Sequence, residues 1–367
     1  MSNIKINEIN TSDWNDIQEL RPRVGLAGRL GDYQEQLFES NPLLTSGIKY
    51  SKGWVIKDNN KVVGFIGSIP LLYRFQNSDI ISATANSFGV EPEYRNLSLQ
   101  LASTFLNQKN IDLLLNTTAD KSAEIIFSYF KSKKIPQKNY NKVLFYICNG
   151  RSFVKSVLIK KKIPLIIASL FSFILTPFLW LIQNRFFSLS TKENLEIKKV
   201  ALKSIGEDFD KLWIRKTESE PNRLYAYRNS KYLKWHFGFC EESKLTILCA
   251  YKKNILLGYI IVMHEEVKEI KLKRSKIVDL FVEKDDCNII DKLISEAYKH
   301  VKINNSSVLE MVGFPKNIRD RFMVNKPYSR FFQNWPFLYK SVNKKLKRDL
   351  ILEESWYASP FDGDASF

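Results

Sequence analysis

Residues Ala85–Leu106 read ANSFGVEPEYRNLSLQLASTFL. Ala85–Val90 has the composition of a buried strand, Glu91-Pro92-Glu93 breaks it, and Arg95 opens an amphipathic helix. A strand that passes directly into a helix N-terminus makes an anion site. The first helical N–H groups lack intrahelical partners and sit at the positive end of the helix dipole. The donors here are expected from Asn96, Leu97, Ser98, Leu99 and Gln100, with the Arg95 guanidinium beside them.

Working outward, Thr11–Leu20 reads as a short capped helix. Gly53–Lys57 and Lys61–Pro70 flank Asp58-Asn59-Asn60 as a hairpin, and Ile80–Val90 follows as the next strand. The motif helix is expected over Leu97–Asn107. The nearly all-apolar Ile111–Asn116 suits a strand buried on both faces, Ser122–Lys133 a helix, and Val143–Ile147 a strand closing the unit.

From Leu195 the pattern begins again. Lys57–Ile66 (KDNNKVVGFI) is echoed by Tyr251–Ile260 (YKKNILLGYI), and Ser87–Pro92 by Asp279–Lys284. The helix Gln100–Asn107 has a counterpart in Ile290–His300, and Ile111–Asn116 one in Val308–Val312. All four pairs share an offset of roughly 190 residues, which reads as two tandem copies of one α/β unit. The second copy lacks the phosphate turn: Lys284-Asp285-Asp286-Cys287 stands where the first has Pro92-Glu93-Tyr94-Arg95. Carboxylates there repel a pyrophosphate, so the second copy is expected to shape an acceptor cleft instead.

The segment Val90-x-Pro92-x-Tyr94-Arg95 resembles motif A of the GNAT (Gcn5-related) acyltransferases, whose turn cradles the pyrophosphate of acetyl-CoA. Ser98 and Gln100 stand where that family prefers Gly and Gly or Ala. The resemblance implies an α/β fold of two tandem GNAT-like mixed-sheet domains, 1–150 and 195–367, joined by an apolar helical insert, 151–194. It implies acetyl-CoA or another acyl-CoA as co-substrate and no metal. Backbone groups of Phe88 to Val90 would hold the thioester, and Tyr129, with Phe130 an equal fit in register, would protonate the leaving thiolate. Candidate bases are Glu91 and Glu93, Asp279 and Glu283, and His236 in the aromatic run Tyr232–Phe239. His264 and His300 read as surface or helix positions.

The tail Ser355–Phe367 (SWYASPFDGDASF) is too aromatic to fray. Trp356 and Trp235 are expected to stack on a sugar ring, and Asp362 and Asp364 to accept its hydroxyls. Arg228, Tyr232, Leu233, Trp235 and Phe237, with Trp356, Asp362 and Asp364, resemble double-GNAT proteins associated with bacterial surface-polysaccharide loci. A calcium site would need more oxygen ligands than Asp362-Gly363-Asp364 supplies.

The chain has 367 residues, 44% hydrophobic and 13% aromatic, enough for two domains with large cores. A net charge of +17 favours anionic partners: a CoA phosphate, a sugar nucleotide, anionic lipid or RNA. The scattered Cys148, Cys240, Cys249 and Cys287 suit buried residues in a reducing compartment. The polar opening MSNIKINEINTSDW is no signal peptide, so a cytoplasmic location is expected. Ile163–Gln183 is about twenty residues without a charge, fringed by Lys155, Lys160, Lys161, Lys162 and Arg185. It admits a hairpin or interfacial segment broken near Pro177 on the inner membrane face, a buried interdomain helix pair, or a full membrane span.

Three functions follow. The first is an acyl-CoA-dependent N- or O-acyltransferase acting on a sugar, sugar nucleotide or lipid-linked glycan. The second is a Fem-type transferase using aminoacyl-tRNA, and the third an inactive GNAT pair serving as a membrane-associated scaffold.

Overall fold

A computed structural model describes residues 4–27, 35–47, 49–175, 194–332 and 336–366. In chain order the first half supplies β1 (Ile4–Glu8), β2 (Gly53–Asp58), β3 (Lys61–Phe75), β4 (Ser78–Val90), β5 (Leu113–Asn116), β6 (Lys133–Lys134) and β7 (Lys142–Ile147). The second supplies β8 (Glu196–Val200), β9 (Tyr225–Ala226), β10 (Leu245–Lys252), β11 (Ile255–Val267), β12 (Leu272–Val282), β13 (Val308–Met311), β14 (Tyr328–Phe331) and β15 (Leu338–Ser341). They form two mixed sheets, one ordered β1-β2-β3-β4-β5-β15-β6, with β9 beside β3, the other β14-β7-β13-β12-β11-β10-β8.

Both sheets share one design. An antiparallel meander leads into a long strand that then pairs in parallel with a short, fully buried one: β4 with β5, and β12 with β13. The parallel pairing is brief. It runs from Ser82↔Leu113 to Thr84↔Leu115 in the first sheet, and from Arg274↔Val308 to Ile277↔Met311 in the second. Each long strand carries a bulge just beyond, at Ser87 and at Val278, and its distal part diverges from the parallel neighbour. A bulge bends the strand and increases its twist, which opens the gap.

The strand Val143–Ile147, expected to close the first unit, does not. As β7 it pairs antiparallel with β13 in the second sheet, while β15 from the second half takes the equivalent place beside β5. The halves thus exchange strands: β7 goes to the second sheet, β15 and the short β9 to the first. Expressed alone, residues 195–367 leave the β13 edge without its partner, an unpaired edge that invites aggregation. Such a fragment is expected to be insoluble or to lack a cooperative urea transition, and co-expression with residues 1–194 should restore both.

One face of the first sheet packs Ala83, Ala85 and Leu114 against Leu101 and Phe105 of the helix Ser98–Leu106 and Phe127 of the helix Lys121–Tyr129. The other face joins a core continuous with the second sheet, running from Ile69 and Leu115 to Tyr146, Leu309 and the tail residues Trp356 and Tyr357. Of the cysteines, Cys148 and Cys249 are buried as expected, whereas Cys287 is exposed at the start of the helix Cys287–Ile303.

Candidate active site

Beyond Thr84, no strand pairs with β4 on its β5 side among the described residues, so the backbone edge at Phe88–Val90 faces the gap. At the mouth of this gap lies a polar cluster. Ser87, the bulge residue, has φ +59, a left-handed conformation uncommon for a non-glycine residue and one that persists only where surrounding contacts hold it. Its hydroxyl accepts from Arg21 Nη1 at 2.9 Å, while Arg21 Nε donates to the Ala27 carbonyl at 2.7 Å. Burial lowers the Arg21 pKa from its ordinary value, yet leaves a cation beside the gap. Asn86 Nδ2 donates to Asp364 Oδ2 at 3.3 Å, Thr117 Oγ1 to Asp364 Oδ1 at 2.6 Å, and Thr118 Oγ1 to both Asp364 oxygens at 3.2 Å.

Asp364 reaches this place because the tail crosses between the sheets. Its first part fills the gap of the second sheet: the Tyr357 hydroxyl bonds the Leu280 carbonyl, and Phe314 N donates to Ala358 O at 3.0 Å. Gly363 then lies against Thr117 with φ +64, where an added Cβ would come within 2.4 Å of Thr117 Cγ2. Only glycine permits that approach. The second sheet's gap is therefore filled by the chain itself, whereas at Phe88–Val90 of the first sheet no strand takes that place among the described residues.

A cavity of about 260 Å³ continues from this cluster, lined by Thr117, Tyr140, Ile277, Val278, Pro360 and Ala365, with Arg274, Lys276 and Glu310 at its polar end. Arg274 Nε and Lys276 Nζ bond Glu265 at 2.6 and 2.8 Å, and Arg330 Nη2 bonds Glu310 at 3.1 Å. Burial works against the Glu265 anion, but Lys276 and Arg274 more than offset it and hold its pKa below the ordinary value.

Phe88 and Val90 are half-buried beside the gap, and Arg95 and Asn96, expected to open the helix, instead lie exposed in the turn before it, the helix beginning at Ser98. The turn Pro92–Leu97 is a 3-10 helix, in which Tyr94 N donates to Glu91 O and Ser98 N to Arg95 O. The Ser98 amide, one of the donors expected to meet a phosphate, is thus engaged within the turn. Leu97 is half-buried; Leu99 and the bulky Gln100 point to solvent. Tyr94 is tied by its hydroxyl to Asp58 at 2.7 Å, and Glu91 is held by Arg23 at 2.8 Å, which pins the helix Trp14–Arg23 to the end of β4. Tyr129 is 72% exposed, stacked edge-on with Phe130.

The remaining expected site residues hold the tail in place. Arg228 and Asp279 are wholly buried; Arg228 Nε lies 3.1 Å from both Asp279 oxygens, and the Tyr259 hydroxyl donates to Asp279 at 2.9 Å. Asp362 approaches Arg228 Nη2 at 3.5 Å and accepts from Ser359 N at 2.8 Å. Burial opposes the Arg228 cation, but Asp279 and Asp362 outweigh it and raise its pKa. Asp279 and Asp362 are therefore a structural counter-charge, with no surface left to meet a substrate. Trp235 and Trp356 are likewise buried rather than placed to stack on a sugar, and Trp356 Nε1 donates to Leu350 O at 2.9 Å. His236 stacks on Phe361 at 4.2 Å and shares a 2.8 Å bond with Ser366 Oγ; burial, then Arg228, push its pKa well down, so the ring is neutral. His264 lies on β11 and His300 on the helix Cys287–Ile303, and the two rings converge on Thr246 Oγ1 at 2.9 and 3.1 Å.

The acidic turn after β12 is tied up by its own neighbours. Asp285 accepts from Lys216 Nζ at 2.5 Å and Arg223 Nη1 at 2.6 Å, so the turn's own carboxylate already occupies the local cations. Burial raises the pKa of Asp285, and Lys216 and Arg223 more than reverse this.

Solved structures with the same arrangement are known. A GCN5-related N-acetyltransferase from Anabaena variabilis superposes over 93% of this chain and 73% of its own, with a TM-score of 0.58 at 12% identity. The fold is that of the GNAT acyltransferases. A conserved Enterococcus faecalis protein described as a probable N-acyltransferase matches over 96% of this chain and 74% of its own, with a TM-score of 0.59 at 10% identity. Saccharomyces cerevisiae N-myristoyltransferase with bound myristoyl-CoA matches over 93% and 79%, with a TM-score of 0.54 at 12% identity. No family model and no curated protein matches the sequence. Asn86, Ser87, Arg21, Thr117 and Thr118 belong to no sequence motif, although the polar pair Asn86-Ser87 interrupting an apolar strand marks the bulge.

Proposed function

We propose that this chain transfers an acyl group, acetyl in the simplest case, from an acyl-CoA to an amine or hydroxyl of a sugar or glycan precursor. The observation that carries the reading is the open β4 edge at Phe88–Val90 lying next to the Asn86–Thr117–Asp364 cluster in a GNAT fold. The thioester lies along that edge, its carbonyl toward the backbone amides, and the acceptor enters through the cavity that begins at Thr117. Asp364 takes the acceptor's proton as the new C–N or C–O bond forms and the C–S bond breaks. Arg21, beside Ser87, favours the negative charge that develops on the leaving sulfur. The offset of the two sheets' sequences, with a bulged long strand in each, supports duplication of one unit, of which only the first copy kept its gap open. The sugar acceptor rests on the likeness to double-GNAT proteins of surface-polysaccharide loci and on a cavity with an apolar floor and a charged end.

Isothermal titration with acetyl-CoA tests the donor. The expected result is binding that weakens about tenfold in Arg95→Ala, the loss of one charge-assisted phosphate contact. An absence of binding to any acyl-CoA defeats the reading. One observation favours a second reading: the Ser98 amide is spent within the 3-10 turn, which leaves fewer donors for a pyrophosphate. A Fem-type transferase needs no such cradle, and salt-dependent binding of aminoacyl-tRNA without acetyl-CoA binding would select it.

A further inference from the structure

The helices Gly150–Lys160 and Leu165–Ile174 pack together as a hairpin, and the second is built inside out for a water-exposed helix. A helix on a soluble surface buries its large apolar residues and shows its small and polar ones. Here Ala168 and Ser172 are fully buried, while Ile166, Leu170, Phe171, Phe173 and Ile174 stand between 52% and 84% exposed. Small residues at the seam with large apolar ones outward is the arrangement of helices packed in lipid. Residues 150–175 carry Arg151, Lys155, Lys160, Lys161 and Lys162 and no acid. Among the described residues none of these five enters an ion pair, and Arg151 lies over the Phe173 ring at 5.0 Å. An apolar face bordered by unpaired cations complements an anionic bilayer, the apolar side entering the acyl region and the lysines meeting headgroups. The ten described residues are about 15 Å long, half the hydrocarbon core, and no described helix is long and apolar enough to cross a membrane.

We infer that Leu165–Ile174 docks the protein on the surface of an anionic membrane, with Lys160, Lys161 and Lys162 as the electrostatic collar. The hairpin is clamped to the second sheet: Ser152 Oγ bonds Ser307 Oγ at 2.6 Å, and Ser156 Oγ donates to Lys271 O at 3.2 Å. Lys271 lies three residues before Arg274 at the charged end of the cavity. Docking therefore brings that end toward the headgroups, where a lipid-linked acceptor is presented; this last step alone rests on the acyltransferase reading.

Vesicle co-sedimentation of the full chain tests the docking without any activity readout. The wild type is expected to pellet with phosphatidylcholine vesicles containing phosphatidylglycerol and only weakly with phosphatidylcholine alone. Phe171→Ser with Phe173→Ser should lower the apparent partition coefficient about tenfold or more, and Lys160→Gln, Lys161→Gln and Lys162→Gln about fivefold each on anionic vesicles. Circular dichroism should show the Ser variants folded, since both rings are already exposed. Wild type that ignores anionic vesicles, or binding unmoved by the Ser pair, overturns the proposal. So does light scattering that shows a lipid-free dimer lost in the Ser pair, because the apolar face then belongs to a second copy.

Discussion

Replacement of Asp364 by Asn is expected to lower kcat about 100-fold or more while leaving the KM for the acyl-CoA donor within about twofold. The argument rests on position. Asp364 is the carboxylate that the tail delivers to the mouth of the open gap, with both oxygens oriented by Thr117, Thr118 and Asn86. A carboxylate held this way is ready to accept a proton from an acceptor group arriving through the cavity. The amide of Asn cannot accept that proton, though its oxygen still accepts from Thr117, so the fold should survive with little change in the urea midpoint. Asp364→Glu should recover part of the rate. An unchanged kcat, or a loss matched by an equal loss of folded protein, would make Asp364 a strut of the tail rather than the base.

Much of the fold is legible in the amino-acid sequence. The β2–β3 hairpin, β4, the motif helix and β5 each carry their own periodicity and turn residues, whereas β3 runs past the expected end at Pro70 to Phe75 and turns into β4 at Gln76-Asn77. The near-repeat of β10–β12 is legible for the same reason. The exchange of β7 and β15 is not. KVLFYI and LYKS say that they are strands, and nothing in them says which sheet accepts them. The tail misleads for a related reason. Asp362 and Asp364 read as acceptors for a sugar's hydroxyls until Arg228, more than a hundred residues before Asp362, is seen to hold one carboxylate and Thr117 the other. Burial of a charge is a property of the pair, and the partner is invisible from the local sequence. The insert announces itself in composition, while its inverted packing depends on which neighbours the helix meets.

Arg228→Ala is expected to cost about 3–5 kcal/mol of stability, a large share of the roughly 5–15 kcal/mol that a domain possesses. The guanidinium has no solvent exposure, sits 4.5 Å from the centre of the Phe361 ring, and serves Asp279, Asp362, Ser359 Oγ and the Ala226 carbonyl together. Removing it leaves two carboxylates buried with no cation. Adding Asp279→Asn and Asp362→Asn to an Arg228→Met background should recover much of the loss, because the penalty lies in the uncompensated charges. The cluster also sets a pH dependence. Burial pushes the Asp362 carboxyl up to about 6, against the pull of Arg228, and burial raises Asp279 as well. A carboxyl whose folded pKa lies above its unfolded value contributes stability that is fully present below about pH 4 and is lost as pH rises through about 6. The stability of the wild type relative to Asp362→Asn, read from urea midpoints, should therefore fall between pH 4 and pH 6 and level off above. A difference that rises over that window would mean that Arg228 dominates the pair and keeps both carboxylates ionised throughout. Arg228 faces the ionised Asp362 only above that window, so the docking of Gly363 and Asp364, and with it the proposed base, is best assayed there.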